Sequence, residues 1–257
     1  MKVLTWNILS SMWLYPDEDY KGIDSKHLQF KSRSKKIVSR IMYHTPDIVL
    51  LQEVAEPEYN ILVSLLENTY HISRLVKHNR LHWNKYIYKN HKYKPNGNVI
   101  MVIKNIVTKS SKSIFKSVKL SDDGDYAAIA KIGKTVAVSV HLDDMSKTLH
   151  NKQIRVLLKN CTADQVIIGG DFNATPNESL HNIFKKHGYQ TGTANAIATY
   201  AFNPVGIYDY IYVKGCSIDS YSIDDYMINR KNRVKNNKET IMKYGSDHYP
   251  ILAQLCV

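Results

Sequence analysis

Long apolar runs alternate with amphipathic stretches in the first quarter of the chain. The runs KVLTWNIL (residues 2–9) and DIVLLQEV (residues 47–54) predict buried strands, because branched aliphatic residues dominate them. Residues 32–45 predict a helix that ends before Pro46, since proline cannot continue a helix. The apolar positions at helical spacing are Ile37, Val38, Ile41 and Met42. Residues 57–68 predict the next helix.

The rest of the chain shows short strands and then alternating helices and strands. Residues 97–141 predict a meander of four strands. Helices are expected over residues 146–160, where Ser146 is a candidate N-cap, and over residues 178–188. Further strands are predicted over residues 165–170, 207–213 and 250–257. This mixture indicates one α/β domain over residues 1–257, with helices covering its sheets.

Polar residues interrupt or end the predicted strands. They are Asn7, Glu53, His141, Asp171, Asn173, Asp209, Asp247 and His248. Each alone has a structural explanation, such as a capped turn at Asn7 or an Asx turn at Asp171 and Asn173. Together they favour one shared site, because a carboxylate or amide beside a buried strand is costly unless it is paired or bound to a metal.

The chemistry of this set indicates a hard cation. Carboxylates and amides without cysteine are typical ligands of Mg²⁺ or Mn²⁺. Two histidines and a further aspartate would transfer protons and stabilise developing charge. In a basic protein, this combination favours hydrolysis of phosphate esters.

Six motifs resemble those of the endonuclease/exonuclease/phosphatase superfamily and follow that superfamily's order. They are TWNIL, LQEV, HLDD, GGDFNA, YDYIYV and SDHYPI, and the resemblance runs over residues 3–254. It implies a four-layer α/β sandwich of the DNase I type, with two central mixed β-sheets flanked by helices. It also implies metal-dependent hydrolysis of a phosphodiester or phosphomonoester.

The resemblance assigns the metal first. Glu53 would be the main ligand of Mg²⁺ or Mn²⁺, and Asn7 and Asp247 would complete the shell directly or through water. The two glycines of GGDFNA are expected to let the chain turn sharply, so that Asp171 and Asn173 project into the same site.

The resemblance also assigns the acid–base and phosphate-binding roles. Asp171 would orient or deprotonate the attacking water, and Asn173 would hold water or a phosphate oxygen. His248 would face the phosphate, kept in position by Asp209. His141 would be a second phosphate contact.

The subfamily is indicated by the stretch between Asn7 and Glu53. This stretch is tyrosine-rich and contains an arginine-bearing helix, which is similar to the deadenylase-like branch (nocturnin, Angel and 2′-phosphodiesterase relatives). Ile207 departs from the many members that carry Arg or Lys two residues before the aspartate of the DYI strand. We predict a nuclease or phosphodiesterase acting on single-stranded RNA, as a deadenylase-like 3′ exonuclease. The alternatives are a tyrosyl-DNA phosphodiesterase, a DNA endonuclease, an inositol or small-molecule phosphatase, and a catalytically silent binding module.

Charge supports a nucleic-acid partner, RNA rather than DNA. The formal net charge is +12, and residues 73–94 hold seven Lys or Arg, no acid and Trp83 among tyrosines. Such a segment suits a single strand whose bases stack on Trp83, although a solvated lysine-rich hairpin is the other interpretation. Residues 230–243 are expected to form a mobile loop that places Lys235 and Lys238 on the nucleic acid.

The remaining features concern compartment and assembly. Three scattered cysteines indicate reduced thiols. Asn7 interrupts the apolar start of the chain, and no apolar run approaches the roughly 20 residues of a membrane span. We therefore expect a cytoplasmic or nuclear protein that is monomeric and has no membrane partner.

Overall fold

Two mixed β-sheets form the centre of the molecule. The computed structural model describes residues 1–14, 20–79, 87–88, 91–92, 95–107, 115–144, 146–192, 198–202, 205–224 and 237–257, with the backbone alone at 87–88, 91–92 and 237. The strands are β1 (Lys2–Asn7), β2 (Ile48–Ala55), β3 (Tyr70–Ile72), β4 (Val76–Lys77), β5 (Ile87–Tyr88), β6 (His91–Lys92), β7 (Asn96–Ile103), β8 (Phe115–Lys119), β9 (Tyr126–Ile132), β10 (Thr135–His141), β11 (Gln165–Asp171), β12 (Gln190–Thr191), β13 (Asp209–Lys214), β14 (Ser217–Ile223) and β15 (Ile251–Cys256). The helices are α1 (Ser25–Leu28), α2 (Phe30–His44), α3 (Glu56–Leu66), α4 (Lys147–Asn160), α5 (Ser179–Lys186) and α6 (Asn237–Tyr244).

Each sheet contains one parallel pair of strands. The first sheet has the order β14–β15–β1–β2–β7–β3, with β4 also on β7, and the second has the order β12–β13–β11–β10–β9–β8. Strands β1 and β2 are parallel in the first sheet, and β10 and β11 are parallel in the second. Because ligands bind at the carboxyl ends of parallel strands, each sheet offers one edge suited to a site.

Alternate side chains of each strand face the opposite sheet. On β2, Ile48 and Leu50 pack between the sheets, whereas Val49 and Leu51 pack against helices on the outer face. On β11, Ile167 likewise lies between the sheets. This period of two gives every central strand a buried surface on both faces and confirms the predicted four-layer sandwich.

Helices form the two outer layers. Helices α2, α3 and α6 pack on the first sheet, and α4 and α5 pack on the second. Helix α2 ends where Thr45 adopts a left-handed conformation (φ +42°) ahead of Pro46. Ser146 caps α4 as predicted, since its hydroxyl accepts a hydrogen bond from the N–H of Leu149 at 3.3 Å. None of the helices within the described ranges has the length and apolar character needed to cross a membrane.

The two glycines of β11 serve close packing. A Cβ on Gly169 would lie 2.7 Å from Cδ1 of Leu50 in the first sheet, and one on Gly170 would lie 1.8 Å from the carbonyl oxygen of Val140 on β10. Strand β11 continues through both glycines to Asp171, and neither has a positive φ. The prediction that these glycines let the chain turn sharply is therefore wrong.

Three parts of the predicted fold differ from the structure. The predicted meander over residues 97–141 divides between the sheets, because β7 joins the first sheet while β8, β9 and β10 form a meander in the second. The predicted mobile loop is wrong over residues 237–243, which belong to α6 and bury Ile241 fully; residues 230–236 lie outside the described residues. Strand β14 was not predicted, because its residues alternate between exposed and half-buried without a strong apolar pattern.

A buried ion pair fixes the end of β14 to α2. Arg40 donates from Nε to Oδ2 of Asp224 at 2.8 Å and from Nη2 to Oδ1 at 2.5 Å, and Nε2 of His44 lies 2.6 Å from Oδ2. The side chain of Asp224 is 2% exposed. Burial by itself raises the pKa of Asp224, but the hydrogen bonds from His44 and Arg40 outweigh burial and hold the pKa below its ordinary value.

We expect Asp224→Asn to lower the free energy of unfolding by about 3–5 kcal/mol at neutral pH, because it removes the carboxylate that offsets buried Arg40. Since the folded-state pKa of Asp224 is depressed, its contribution is present above the unfolded-state pKa of about 3.9 and is lost as pH falls through the folded-state value. Urea unfolding should therefore show the deficit of the variant shrinking below about pH 4.

Asp219→Asn is the matched control, because Asp219 is exposed on the same strand. It should change the free energy of unfolding by less than about 0.5 kcal/mol. A deficit for Asp224→Asn that stays constant down to about pH 2 would contradict the assignment of the stabilisation to the ionised carboxylate.

Candidate active site

Three of the predicted acid–base residues lie side by side in the second sheet. His141 ends β10, Asp171 ends β11 and Asp209 begins β13. The strand register pairs His141 with Asp171, and Asp171 with Asp209. Each of them continues the inner-face alternation of its strand. The three side chains therefore meet between the sheets, at the carboxyl ends of the parallel pair.

The first sheet brings two of the predicted metal residues to the same place. Asn7 ends β1, and Glu53 lies near the end of the parallel strand β2. Glu53 adopts a left-handed conformation (φ +58°) where the register of β2 shifts between Leu51 and Val54. A bulge of this kind re-aims a side chain. Here the carboxylate accepts hydrogen bonds from Nδ2 of Asn7 and from the N–H of Ser10, both at 3.0 Å.

A turn before β15 supplies Asp247 and His248. Ser246 Oγ donates to the carbonyl of Asn7 at 2.7 Å and accepts from the N–H of His248 at 3.1 Å. The indole of Trp6 donates to the carbonyl of His248 at 2.9 Å. These bonds attach the turn to β1, so the two side chains keep fixed positions outside the regular strands.

His248 connects the two carboxylates of the second sheet. Its Nδ1 lies 2.8 Å from Oδ2 of Asp209, and its Nε2 lies 3.7 Å from Oδ2 of Asp171. Burial by itself lowers the pKa of His248, but the charge and hydrogen bond of Asp209, with the charges of Asp171 and Asp247, raise it to about 10. The imidazole is therefore protonated at neutral pH, with Nδ1–H donating to Asp209.

Asp171 is held by both asparagines. The N–H of Asn173 donates to its Oδ1 at 2.9 Å, and Nδ2 of Asn7 donates to its Oδ2 at 3.1 Å. Asn173 itself is left-handed (φ +47°), so the chain turns at Asn173 rather than at the preceding glycines. Burial, followed by the charge of Asp209, raises the pKa of Asp171 to about 7. A carboxylate with this pKa suits general-base chemistry at neutral pH.

Glu53 and Asp247 are two of the three residues that the sequence analysis assigned to a metal, and that role stays a prediction. Burial raises the pKa of Glu53, and the charge of Asp247 raises it further. A divalent cation would offset the like charges of half-buried Glu53 and buried Asp247, and oxygen donors suit Mg²⁺ or Mn²⁺, so the residues fit such an ion. Asn7 turns Nδ2 toward Glu53 and Asp171 while its Oδ1 accepts from the N–H of Leu9 at 3.0 Å. In this orientation Asn7 positions carboxylates, and its place in a metal shell stays a prediction.

A second group of side chains has atoms close enough together to hold a metal, but their hydrogen bonding and protonation argue against metal binding. Atoms of Asp171, Asp209 and His248 lie within 4.8 Å of one another. A protonated imidazole cannot bind a metal, and Nδ1 of His248 already donates to Asp209. This group is therefore a charged cluster in which His248 is hydrogen-bonded to Asp209 and lies 3.7 Å from Asp171. One acceptor of this group, Oδ1 of Asp209, is buried and has no hydrogen-bond partner among the described residues.

A buried arginine, Arg33, lies near the carboxylates of Glu53 and Asp247. Arg33 of α2 is 0% exposed and donates to three backbone carbonyls at 2.8–3.1 Å. These carbonyls belong to Ile8, Leu28 and Gly245. Burial lowers the pKa of Arg33 to about 10, while the charges of nearby carboxylates, among them Asp247 and Glu53, favour its charged form. Arg33 thus ties three segments together and places a positive charge beside the site.

Residues that the sequence analysis did not identify support the site. Tyr20 donates its hydroxyl to Oδ2 of Asp247 at 3.0 Å, and burial, with the charge of Asp247, raises the pKa of Tyr20 so that it stays neutral. Below the site, Nε2 of Gln52 donates to Oγ of Ser139 at 2.9 Å and links the two sheets. The motifs LQEV and SDHYPI contain Gln52 and Ser246, so motif membership was an available signal for these two. Tyr20 carried no comparable signal.

The other predicted site residues have varied outcomes. His141 is brought into the site, with Nε2 3.9 Å from Oδ2 of Asp171, and its phosphate contact stays a prediction. Trp83 and Lys235 lie outside the described residues. Lys238 is exposed at the start of α6, and its Nζ lies 2.9 Å from the position of a Cβ on Gly22. Lys238 is therefore beside the turn that contains Tyr20.

Solved structures share this fold along nearly their whole length. ANGEL2, described as a 2′,3′-cyclic phosphatase in complex with adenosine-2′,3′-vanadate, is 17% identical with a TM-score of 0.75, over 99% of this chain and 94% of that one. The human nocturnin catalytic domain is 17% identical with a TM-score of 0.71, over 100% and 93%. A mannosyl-6-phosphatase from Bacteroides thetaiotaomicron is 14% identical with a TM-score of 0.69, over 100% of both chains. Comparison with curated proteins finds no match.

Family membership rests on a match in sequence as well as in fold. The model of the Endonuclease/Exonuclease/phosphatase family matches residues 4–248, a range that includes every site residue from Asn7 to His248. The structural neighbours carry the same DNase I-like sandwich. The chain therefore belongs to the endonuclease/exonuclease/phosphatase family of hydrolytic phosphoesterases.

Proposed function

We propose that this protein is a Mg²⁺- or Mn²⁺-dependent phosphodiesterase that cleaves single-stranded nucleic acid, RNA rather than DNA. The observation that carries the proposal is the meeting of two sets of side chains at one place. The first sheet and its turn supply Glu53, Asp247 and His248, and the second sheet supplies Asp171, 3.7 Å from His248, and Asp209, which is hydrogen-bonded to His248. An oxygen-ligand pair beside a general base and a charged imidazole suits in-line attack of water on phosphorus.

The metal would be held by Glu53 and Asp247, with Asn7 contributing directly or through water. When bound, it would act as a Lewis acid that polarises a phosphoryl oxygen and lowers the charge repulsion between substrate and site. Tyr20 keeps Asp247 in place by its hydrogen bond, and the N–H of Ser10 does the same for Glu53.

The proton chemistry belongs to Asp171 and Asp209 of the second sheet and to His248 of the turn before β15. Asp171, with its pKa raised to about 7, accepts the proton of the attacking water through a carboxylate oriented by Asn7 and Asn173. Protonated His248 presents Nε2–H to the phosphate and stabilises its developing negative charge. Asp209 holds the other ring nitrogen, which fixes the direction of Nε2.

Charge and structural similarity support a nucleic-acid substrate. The net charge of +12 favours a polyanion. ANGEL2 and nocturnin share the fold, and the ANGEL2 structure holds a vanadate of adenosine. The same fold also carries a mannosyl-6-phosphatase, so a phosphorylated small molecule is the alternative that experiments must exclude.

We expect Glu53→Gln to reduce Mg²⁺-dependent hydrolysis about 10²–10⁴-fold, because it removes the main metal carboxylate. In excess EDTA the variant should unfold at the same or a higher temperature than the wild type, since one of two repelling charges is gone. Added Mg²⁺ should raise the melting temperature of the wild type more than that of the variant.

The matched control is Glu56→Gln, which alters a 66% exposed carboxylate three residues away that pairs with Lys77. It should keep wild-type activity and the wild-type response to Mg²⁺. Full activity of the wild-type protein in excess EDTA would overturn the metal-dependent mechanism.

We expect Asp209→Asn to slow turnover through His248, because the imidazole would lose both its fixed direction and part of its charge stabilisation. The double variant Asp209→Asn/His248→Ala should then be no slower than His248→Ala alone, since residues that act as a unit are not additive. Single-turnover rates of the four proteins measure this. Losses that multiply would show that Asp209 acts independently of His248.

We expect single-stranded RNA to be hydrolysed best in a substrate panel with Mg²⁺. The panel should contain poly(A), mixed RNA, RNA ending in a 2′,3′-cyclic phosphate, 2′-5′ oligoadenylate, DNA, 5′-tyrosyl DNA, inositol phosphates and mannose 6-phosphate. Binding to RNA should weaken with salt, and Lys238→Ala should reduce the slope by about 0.7 log units per log unit of salt if Lys238 contacts one phosphate.

Lys131→Ala is the matched control for this measurement, because Lys131 is an exposed lysine on β9. It should leave the slope unchanged. Salt-independent binding to RNA, together with efficient hydrolysis of an inositol or sugar phosphate, would replace the nucleic-acid assignment with the phosphatase alternative.

A further inference from the structure

A tyrosine from the stretch between Asn7 and Glu53 reaches the turn that carries Asp247. Tyr20 is buried, and its hydroxyl donates to Oδ2 of Asp247 at 3.0 Å. The two residues are 227 positions apart in the chain. The sequence analysis used this stretch only to indicate a subfamily, whereas the structure places one of its side chains beside a carboxylate of the site.

A tight turn holds Tyr20 in this position. The N–H of Ile23 donates to the carbonyl of Tyr20 at 3.1 Å, and Gly22 is left-handed (φ +83°). A positive φ at the third residue, with glycine there, is typical of a type II turn. The ring of Tyr20 packs on Phe202, with centroids 5.1 Å apart, and Ile23 is buried in the same core. The turn and the packing of the ring together fix the direction of the hydroxyl.

The hydroxyl of Tyr20 makes the two oxygens of Asp247 different. Oδ2 accepts from Tyr20, whereas Oδ1 has only a long contact among the described residues, with Oγ of Ser246 at 3.4 Å. The single hydroxyl proton of Ser246 already goes to the carbonyl of Asn7 at 2.7 Å, so it is not available to Oδ1. Oδ1 is therefore the oxygen of Asp247 that keeps its lone pairs for a cation.

Glu53 is hydrogen-bonded at both of its oxygens. Oε1 accepts from Nδ2 of Asn7, and Oε2 accepts from the N–H of Ser10, each at 3.0 Å. The two carboxylates thus offer a cation few oxygens that carry no hydrogen bond. Mg²⁺ suits such a site, because it binds through one or two carboxylates and keeps several waters in an octahedral shell. Ca²⁺ takes roughly six to eight oxygens and can use both oxygens of a carboxylate.

We propose that Tyr20 is a positioning residue that makes Asp247 bind the metal through Oδ1 alone and thereby favours Mg²⁺ over the larger Ca²⁺. The proposal rests on the proposed function and deepens it, because it assigns the choice of metal to a residue that is not itself a ligand. A cation that used both oxygens of Asp247 would have to share Oδ2 with the hydroxyl or displace it. Displacement would cost a hydrogen bond to a charged group and leave a buried hydroxyl without a partner.

The test measures metal binding directly and without substrate. Titration calorimetry gives the Kd for Mg²⁺ and the Kd for Ca²⁺ in the wild type and in Tyr20→Phe. This variant keeps the ring that packs on Phe202 and removes only the hydroxyl, so it should stay folded. The ratio of the Kd for Ca²⁺ to the Kd for Mg²⁺ should fall by about 10-fold, the scale of effect expected when a residue that orients a metal ligand is changed.

Tyr70→Phe is the matched control for this ratio. Tyr70 is also buried and also donates its hydroxyl to an oxygen, the carbonyl of Pro46 at 3.1 Å. Pro46 precedes β2, whereas Glu53 lies near the other end of that strand. The control therefore removes a buried tyrosine hydroxyl far from the carboxylates and should keep the wild-type ratio.

Infrared difference spectra report on the coordination itself. The separation between the two carboxylate stretching bands is smaller for a bidentate carboxylate than for a monodentate one. Ca²⁺ binding to Tyr20→Phe should therefore produce an additional bidentate signal that the Ca²⁺-loaded wild type lacks. A lower ratio without this signal would overturn the assignment of Oδ1 as the single metal-binding oxygen of Asp247.

The possible outcomes separate this proposal from the function on which it rests. If the wild type binds Mg²⁺ and the ratio is unchanged in Tyr20→Phe, Tyr20 does not select the metal and the proposed function stands. The same conclusion follows if Tyr70→Phe lowers the ratio as much as Tyr20→Phe does. If the wild type binds neither ion and keeps its activity in excess EDTA, both proposals fail.

Discussion

The carboxylates of Glu53, Asp171, Asp209 and Asp247 meet at one end of two packed sheets, three of them buried and Glu53 half-buried, and their repulsion is the constraint that shapes the site. Each neighbouring contact reduces that repulsion. His248 carries a proton between Asp171 and Asp209, and its pKa rises to about 10 for that reason. Neutral donors, including the hydroxyl of Tyr20 and the amide of Asn7, cover other oxygen atoms. Burial and the charge of Asp247 raise the pKa of Glu53, so a divalent cation held by these two carboxylates would stabilise the folded protein.

Much of this arrangement follows from simple alternation along the strands. Asn7, His141, Asp171 and Asp209 occupy the same strand face as the apolar residues that pack between the sheets, so the apolar pattern already directs them inward. Glu53, Asp247 and His248 lie at a bulge or in a turn where alternation gives no direction, so their selection rested on their places beside predicted strands and on the order of the motifs. The sequence analysis was therefore most reliable for residues whose position depends on a regular strand.

What could not be predicted depends on irregular backbone and long-range packing. The left-handed conformation of Glu53 arises from a register shift against β7, which only the assembled sheet determines. Helix α6 was expected to be a loop, because its sequence is rich in lysine and asparagine. Only two apolar residues, Ile241 and Tyr244, pack this helix on the first sheet, and they are too few to give a clear helical pattern. Arg33 appeared as one basic residue of an amphipathic helix, yet it binds carbonyls from three separate segments. Such contacts join residues far apart in sequence and leave no local pattern.

The distance between the two sheets determines how far apart the site residues of the two sheets lie. Glu53 belongs to the first sheet and Asp171 to the second, and Asn7 donates one amide hydrogen bond to each of them. Two positions on β11 before Asp171, Gly169 faces Leu50 across the interface so closely that a methyl group has no room. Because packed interiors transmit small displacements, a side chain there would push apart the sheets that Asn7 connects. The glycine that resembles a turn signal in the sequence therefore acts at the sheet interface, where it keeps Glu53 and Asp171 within reach of one asparagine.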